Sequence, residues 1–305
     1  MKKILITGGS GFIGSHIAEL AQDRYQVRIL DNFRTGRRGN LDGLDCELIE
    51  GSITCRETVK RAVDGVDYIF HLAALVSVPE SMSKITECID INCNGMINLM
   101  EAASSAGVKR LIFSSSAATY GDNPVSPKTE DMVPEPKSPY AITKLDGEYY
   151  CRMFHDTGRL STAAFRYFNV FGPRQDPGSA YAAAVPIFIS KALKNEDITI
   201  FGDGGQTRDF VFVKDIASAN LYLAEHDFTG VYNMAYGQKI TIQELAERII
   251  RLTNSNSKII HAPERPGDIR HSLACVDKIK STGFSGTWDF DRGLAETIKA
   301  FAAGK

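Results

Sequence analysis

The sequence lacks the features that mark several common classes of protein. Its six cysteines form no CxxC pair and no Cys/His cluster at zinc spacing, so we expect reduced cysteines in the core and no metal site. No apolar run is long enough to span a membrane, and we expect no secretory signal. A net charge of −2 gives no indication of a nucleic-acid or membrane partner. We therefore expect a cytoplasmic protein.

The first feature that the sequence does have is a short apolar strand that runs into Gly8, Gly11 and Gly14. Glycines permit a tight turn and a close approach of the backbone to a pyrophosphate, which the N-terminus of the following helix holds. A second strand ends in Asp31, 20 residues after Gly11. A carboxylate there accepts both ribose hydroxyls and repels a 2′-phosphate. The spacing predicts NAD as the cofactor.

A basic run follows Asp31 and consists of Arg34, Arg37 and Arg38. We expect a solvated loop rather than a nucleic-acid surface, because the chain as a whole is not basic. These side chains can still reach the adenosine end of a cofactor. NADP therefore remains the alternative to NAD.

Strand patterns alternate with helix patterns through the first half of the chain. Strand-like runs lie at 27–30, 47–49, 66–71 and 109–114, and helix-like stretches lie at 56–63 and 85–106. This alternation predicts an α/β protein with a doubly wound (Rossmann) parallel sheet and ligands at the carboxyl ends of the strands.

Near Asn169 the pattern changes to loops rich in glycine and proline, with a helix at 187–194. Such punctuation predicts a smaller, discontinuous C-terminal α/β substrate lobe. We assign 1–168 and about 211–236 to the cofactor-binding domain, and about 169–210 and 237–305 to the substrate lobe.

Tyr140 and Lys144 lie four residues apart, so they share one face of a helix that Ser138 caps and Pro139 begins. A phenol titrates near ~10. A neighbouring ammonium, the NAD⁺ charge and the helix N-terminus all favour the phenolate, so we expect a lowered pKa for Tyr140. Ser116 ends a strand at the ligand-facing rim. Tyr140 is therefore the predicted base, with Lys144 and Ser116 beside it.

The strand at 66–71 ends in His71, and Leu72, Ala73 and Ala74 follow it. Small residues at this position let a cofactor approach the backbone. Since Tyr140 is a better base, we expect His71 to be a structural histidine.

Together these residues resemble the extended short-chain dehydrogenase/reductase family and, within it, the UDP-hexose 4-epimerases. The resemblance extends along the whole chain, at 7–14, 31–32, 71–74, 92–95, 116, 140–144, 166–172, 208–210 and 265–268. It implies a bound NAD, a UDP-sugar substrate, a homodimer and a transient 4-keto sugar. In that chemistry Tyr140 would remove the proton of the sugar 4-hydroxyl, with Ser116 bonded to the same oxygen and Lys144 tuning Tyr140.

The resemblance also assigns binding residues. The NAD site would comprise Gly8, Gly11, Phe12, Ile13, Asp31, Asn32, Thr35, Gly36, Ser52, Ile53, Leu72, Ala73, Ala74, Asn92, Ser114, Tyr140, Lys144, Tyr167 and Phe168. The UDP-sugar site would comprise Ser116, Asn169, Ala184, Val185, Phe201, Arg208, Arg265, Asp268 and Ser272. Two arginines in the second lobe suit a diphosphate clamp, because a guanidinium is forked and permanently charged. Surface ion pairs are the alternative role for either arginine.

Ser52 departs from the family pattern, which has an Asp that meets the adenine amino group at this position. The change removes one cofactor contact and leaves the rest of the site. We expect NAD to be held less tightly than in most members.

Two rival functions share parts of this site. A nucleotide-sugar 4,6-dehydratase needs an acid and a base just after the serine at the strand end, but here Ala117, Ala118 and Thr119 follow. The decarboxylases usually have a Glu at the same place, and this chain has none there. A non-catalytic NAD-sensing regulator typically lacks the Tyr or the Lys, and both are present. We therefore predict a 4-epimerase, with another oxidoreductase of nucleotide sugars as the alternative.

The width of the sugar pocket is predicted by Ser272. In the resembling epimerases this position borders the sugar 2-substituent, and a bulky aromatic there excludes an N-acetyl group. Residues 176–183 also resemble the branch that accepts N-acetyl sugars. We expect UDP-GlcNAc and UDP-GalNAc to be accepted as well as UDP-Glc and UDP-Gal.

Overall fold

The computed structural model describes residues 1–178, 183–264 and 270–304. The first half of the chain contains β1 (Lys3–Thr7), α1 (Phe12–Ala21), β2 (Gln26–Asp31), β3 (Cys46–Glu50), α2 (Arg56–Val63), β4 (Tyr68–His71), α3 (Val78–Ser83), α4 (Ile85–Ile89), α5 (Gly95–Ser105), β5 (Arg110–Ser116), α6 (Pro139–Asp156) and β6 (Ser161–Tyr167). The second half contains β7 (Asn169–Phe171), α7 (Ala184–Leu193), β8 (Ile198–Phe201), β9 (Thr207–Arg208), β10 (Phe210–Phe212), α8 (Val213–Glu225), β11 (Gly230–Met234), β12 (Ile240–Thr241), α9 (Ile242–Thr253), β13 (Ile259–Ala262), α10 (Asp277–Ser281) and α11 (Phe290–Ala302).

The main sheet has seven parallel strands in the order β11-β6-β5-β4-β1-β2-β3. The chain runs outward from β1 to β3 and then returns to the other side of β1, so the strand order reverses between β1 and β4. In a doubly wound sheet, ligands bind in the crevice that this reversal opens at the carboxyl ends of the strands. The predicted α/β architecture is confirmed.

Strand β1 shows why the sheet lies in the centre of the fold. Ile4 and Ile6 point into one apolar cluster with α1 and α8, whereas Leu5 points into another with α2 and α5. All three side chains are fully buried. Because both faces of the sheet are covered, its strands are continuously apolar, as expected for parallel strands.

The C-terminal part is built from three two-stranded sheets, which are β10 with β7, β12 with β9, and β13 with β8. Their core is a cluster of aromatic rings, in which Phe171 contacts Phe210, Phe212 and Phe290 at centroid distances of 5.3–6.1 Å. Strand β11 and helix α8 return to the main sheet and its covering layer. The smaller C-terminal part is therefore discontinuous, and its boundaries at 168, 211 and 236 stay a prediction.

The helix predicted at 85–106 is interrupted. A π turn, Asp90–Asn94, separates α4 from α5. The Asn92 side chain accepts a hydrogen bond from the Leu75 nitrogen and donates to the Leu75 carbonyl oxygen and to the Thr143 hydroxyl. Single π turns of this kind are frequent near functional sites. No sequence pattern indicates this π turn, because these bonds join distant segments.

Helix α6 begins as predicted, with Pro139 in its first turn and the Ser138 hydroxyl accepting from the Ala141 nitrogen at 3.2 Å. None of the helices within the described ranges combines the length and the apolar character that crossing a membrane would require.

A buried ion pair ties α6 to the main sheet. Arg166 on β6 donates to both carboxylate oxygens of Glu148 at 2.8 and 2.7 Å, and each side chain is 4% exposed. The Ser115 hydroxyl at the end of β5 also donates to Glu148. The pair therefore fixes α6 against the strand that carries Ser116.

We predict that Glu148→Gln lowers the free energy of unfolding by about 3–5 kcal/mol, because it leaves the Arg166 charge buried and uncompensated. Urea denaturation measures the change. Arg152→Gln is the matched control on the same helix, since Arg152 and Asp156 are 80% and 59% exposed and such a pair contributes less than about 1 kcal/mol. Equal effects of the two substitutions would contradict this interpretation.

Candidate active site

A cleft of about 780 Å³ opens at the carboxyl ends of β1, β4 and β5. The glycine turn, the start of α1, Tyr140 and Lys144 all line it. A volume in this range suits a cofactor or small-molecule ligand. The cleft therefore coincides with the crevice that the strand order predicts.

The glycine turn brings backbone close to the cleft. Gly8 has a φ of +72°, and a Cβ there would lie 2.8 Å from the Ala73 nitrogen. A Cβ at Gly14 would lie 2.4 Å from the Gly8 carbonyl oxygen. Gly11 is the N-cap of α1, no side chain caps the helix, and its first turn has no acidic residue. The positive end of α1 is thus left to bind an anion, which fits a dinucleotide diphosphate.

Asp31 lines the cleft at the end of β2 and is 7% exposed. Its two carboxylate oxygens accept from the backbone nitrogens of Ser10, at 3.0 Å, and Phe33, at 2.8 Å. These bonds fix the carboxylate beside the turn, where its remaining lone pairs can accept ribose hydroxyls. Gly36 packs against the Ser10 side chain and the Asp31 carboxylate, since a Cβ at Gly36 would meet both.

Ser52 lines the same end of the cleft. Its hydroxyl is 2.8 Å from the Thr54 hydroxyl and accepts from the Thr54 nitrogen at 3.2 Å. The side chain therefore serves a local turn, which agrees with the expected loss of an adenine contact.

The predicted catalytic residues come together where β5 ends. The Lys144 ammonium donates to the Ser114 carbonyl oxygen at 2.7 Å and lies 5.7 Å from the centre of the Tyr140 ring. The Ser116 hydroxyl lies close enough to the Tyr140 hydroxyl to lower its pKa and accepts from the Ala118 nitrogen. One helix and one strand end thus place a phenol, a hydroxyl and an ammonium together.

The pKa of Tyr140 in the protein alone is set mainly by burial. Burial raises this pKa above its usual value, and the hydrogen bond from Ser116 opposes the rise only in part. Burial also lowers the pKa of Lys144 to about 8. The sequence analysis left out this desolvation. The lowering that it expected includes the NAD⁺ charge and stays a prediction for the NAD-bound protein.

His71 has the structural role that we expected. Its Nδ1 is 2.7 Å from the Thr7 hydroxyl, its ring stacks on Phe113, and it is 2% exposed. Burial and the Lys144 charge lower its pKa to about 3. The ring is neutral at physiological pH and connects β4 to β1.

The cleft brings together almost the whole predicted NAD site. Every residue assigned to the cofactor lies on its lining except Asn92. Asn92 is buried behind the wall, where it joins Leu75 to Thr143. The ligand contacts of these residues stay a prediction.

The predicted substrate residues are more dispersed. Ser116 is the one among those described that lines the cleft, and Asn169, Ala184, Val185, Phe201, Arg208 and Ser272 lie in the C-terminal part. Arg208 and Ser272 are close neighbours there, since both donate to the Thr207 carbonyl oxygen, at 2.9 and 3.1 Å. Arg265 and Asp268 lie outside the described residues.

The sequence analysis missed several polar residues on the lining, among them Asn40, Arg174 and Gln175. Arg174 and Gln175 occupy the loop between β7 and α7, which we had interpreted as loop material, with Asp176 assigned only to the segment that resembles the N-acetyl branch. The charge of Arg174 directly after Pro173 was the available signal. Asp176 also accepts from Arg37 at 2.6 Å, so the loop contacts the basic segment that follows β2.

The fold and the site together define a Rossmann-fold enzyme that uses a nicotinamide dinucleotide. The defining features are the glycine turn, the Asp31 carboxylate and the pair of Tyr140 and Lys144 on a doubly wound sheet. A profile of the NAD dependent epimerase/dehydratase family matches residues 4–235. The chain belongs to this family of NAD-dependent enzymes, whose members include UDP-sugar epimerases, dehydratases and decarboxylases. NAD is confirmed as the cofactor.

Three similar proteins illustrate the range of the family. The UDP-N-acetylglucosamine 4-epimerase of Methanobrevibacter ruminantium M1, solved with UDP-N-acetylmuramic acid, is 41% identical, with a TM-score of 0.96 over 100% of this chain and 99% of that one. The UDP-glucose 4-epimerase of Thermotoga maritima, solved with UDP-glucose, is 35% identical, with a TM-score of 0.94 over 99% of each chain. A UDP-N-acetyl-alpha-D-glucosaminuronate decarboxylase of Bacillus cytotoxicus is 35% identical over 98% of each.

We predict that Lys144→Met changes how stability depends on pH. The folded pKa of about 8 lies below the ordinary 10.5, so between these values the unfolded chain binds more protons and rising pH stabilises the wild type. The unfolding free energy of the wild type minus that of Lys144→Met should increase by on the order of 3 kcal/mol between pH 7 and pH 10.5. Urea unfolding of both proteins across this range measures it. A difference that stays constant with pH would refute the assignment.

Proposed function

We propose that the protein is an NAD-dependent 4-epimerase of UDP-hexoses that acts through a transient 4-keto sugar. The observation that carries the proposal is the arrangement at the end of β5. Tyr140, Ser116 and Lys144 meet at the cleft, and the positions after Ser116 are Ala117, Ala118 and Thr119. The site can oxidise and reduce a carbinol carbon, and it offers no carboxylate there for elimination.

In this mechanism Tyr140, as the phenolate, removes the proton of the sugar 4-hydroxyl, and Ser116 donates a hydrogen bond to the same oxygen. NAD, when bound, would serve as the acceptor and donor of the hydride at C4. The keto sugar turns in the cleft before the return, so the hydrogen arrives on the other face, and Tyr140 gives its proton back to O4. The net result is inversion at C4 with no redox change.

Lys144 has two tasks in this scheme. Its bond to the Ser114 carbonyl oxygen fixes the ammonium beneath Tyr140, and it orients the nicotinamide ribose. With a pKa near 8, the ammonium is charged in most molecules at neutral pH. It therefore adds its charge to that of NAD⁺, and together they oppose the burial that raises the pKa of Tyr140.

A 4,6-dehydratase or a decarboxylase is the alternative reaction. The similar decarboxylase of Bacillus cytotoxicus shows that sequence identity does not separate these reactions. The contents of the site favour epimerisation: Thr119 is fully buried, and its hydroxyl donates to the Ser116 carbonyl oxygen at 2.9 Å. Residues 117–119 thus contain no group that could exchange protons at C5 or C6. A non-catalytic regulator is disfavoured by the intact Tyr140 and Lys144.

The proposal includes the sugar nucleotide's binding site. Arg208 and Arg265 hold the diphosphate, and Asn169, Ala184, Val185, Phe201 and Asp268 line the rest. The proximity of Arg208 to Ser272 through Thr207 supports a common binding surface. The small side chain of Ser272 leaves room for an N-acetyl group, so we propose that acetylated and non-acetylated UDP-hexoses are both substrates.

We also propose a homodimer. Helices α3, α4 and α6 pack together and leave large apolar side chains exposed. These are Val78, Met82, Ile85, Ile89, Ile142, Tyr149 and Met153. A second copy related by a two-fold axis would cover this self-complementary surface.

We predict that the purified protein interconverts UDP-Glc with UDP-Gal, and UDP-GlcNAc with UDP-GalNAc, without an added electron acceptor. Tyr140→Phe removes the base and should lower kcat by at least ~10²-fold with the fold intact. Chromatographic separation of the epimers measures both. Tyr150→Phe is the matched control, because Tyr150 lies on the same helix, is half-buried and is not on the cleft lining. A kcat for Tyr140→Phe close to that of the wild type would remove Tyr140 from its role.

We predict that Ser272→Tyr selectively suppresses the acetylated pair. The added ring would occupy the space beside the sugar 2-substituent, which an N-acetyl group needs and a hydroxyl does not. Values of kcat/KM for the four UDP-sugars measure the effect, and Ser272→Ala is the control that keeps the space open. Equal losses for both pairs of sugars would contradict the placement of Ser272.

A further inference from the structure

Arg174, on the lining of the cleft, has an unfavourable backbone conformation and a partly unsatisfied side chain. It follows Pro173 in the loop between β7 and α7 and has a φ of +65°. A residue with a Cβ seldom adopts this left-handed conformation, and such residues cluster at ligand-binding sites. Its side chain lines the cleft and is 21% exposed.

Two contacts fix the loop to α1. One arm of the Arg174 guanidinium, Nη2, pairs with Glu19 at 2.8 Å. The His16 ring is 3.0 Å from the Pro173 carbonyl oxygen. Hydrogen bonding from His16 and the Arg174 charge hold the pKa of Glu19 at about 2, so this carboxylate is ionised and the guanidinium is held in one orientation.

The other arm of the guanidinium has no acceptor. Within the described residues, Nη1 of Arg174 is buried and makes no hydrogen bond. The Ser10 hydroxyl in the glycine turn, a second possible donor, is also buried and has no partner among the described residues. Leaving a buried charged donor unsatisfied is unfavourable, so the arrangement implies an anionic ligand in the cleft.

The position of Arg174 identifies the anion. The His16 ring connects this loop to the first turn of α1, because it is 3.0 Å from the Pro173 carbonyl oxygen and packs edge-on against Phe12 at a centroid distance of 6.1 Å. Gly11 and Phe12 of that turn line the same cleft. We propose that Arg174 binds the diphosphate of NAD, with Nη1 donating to a phosphate oxygen while Glu19 holds the opposite arm. This proposal depends on the NAD site and is independent of the reaction that the enzyme catalyses.

The experiment compares Arg174→Gln and Arg174→Lys with wild type. The nucleotide content of the purified proteins and the rate of NAD release from the holoenzyme are measured first. Calorimetry then gives Kd for ADP-ribose, which contains the diphosphate, for adenosine, which does not, and for UDP, which represents the other diphosphate. Arg248→Gln is the control, because Arg248 is similarly exposed, at 30%, and pairs with Asp291 at 2.7 Å.

For Arg174→Gln we expect a Kd for ADP-ribose raised by about 10-fold or more, faster NAD release and unchanged adenosine binding, since one charge-assisted hydrogen bond is lost. Arg174→Lys keeps the charge without the fork and should fall in between. Unchanged ADP-ribose binding would overturn the proposal, and so would a loss confined to UDP. If Arg174→Gln does not fold, the Arg174→Lys protein decides by the same two criteria. None of these readouts requires turnover.

Discussion

The crevice depends on a close backbone contact at the point where the main sheet reverses its strand order. The ends of β1 and β4 and the start of α1 meet where a Cβ at Gly8 would touch the Ala73 nitrogen and a Cβ at Gly14 would touch the Gly8 carbonyl oxygen. Since only hydrogen fits at these positions, the backbone itself forms the floor of the cofactor site. Asp31, the Ser114–Ser116 strand end and α6 are arranged around that floor.

The parts of the site that the sequence predicted are those with local signals. The glycine spacing, the position of Asp31 and the Ser138 cap of α6 each involve a few neighbouring residues, and the backbone geometry follows from them. Strand alternation then places Ser116 at the same rim as Tyr140, because parallel strands end at one edge. The fold and most of the cleft lining could therefore be expected before any coordinates were known.

The parts that the sequence did not predict arise from contacts between distant segments. The side chain of Arg174 is placed by its ion pair with Glu19 on α1, which lies far away in the sequence. The π turn at Asn92 depends on Leu75 and Thr143. The burial that raises the pKa of Tyr140 was also not predicted, because desolvation is a property of the packed protein. The sugar-binding residues depend on how three small sheets assemble, which no short motif specifies.

The choice among reactions depends on what happens to the sugar after oxidation at C4. The proposed epimerisation rests on Ala117, Ala118 and Thr119, which offer no group after Ser116 that could exchange protons at C5 or C6. The most direct test follows a UDP-hexose that carries deuterium at C4. We predict that the product is the C4 epimer and that the deuterium stays at C4. A deoxygenated product with deuterium at C6, or loss of the label to solvent, would contradict the account.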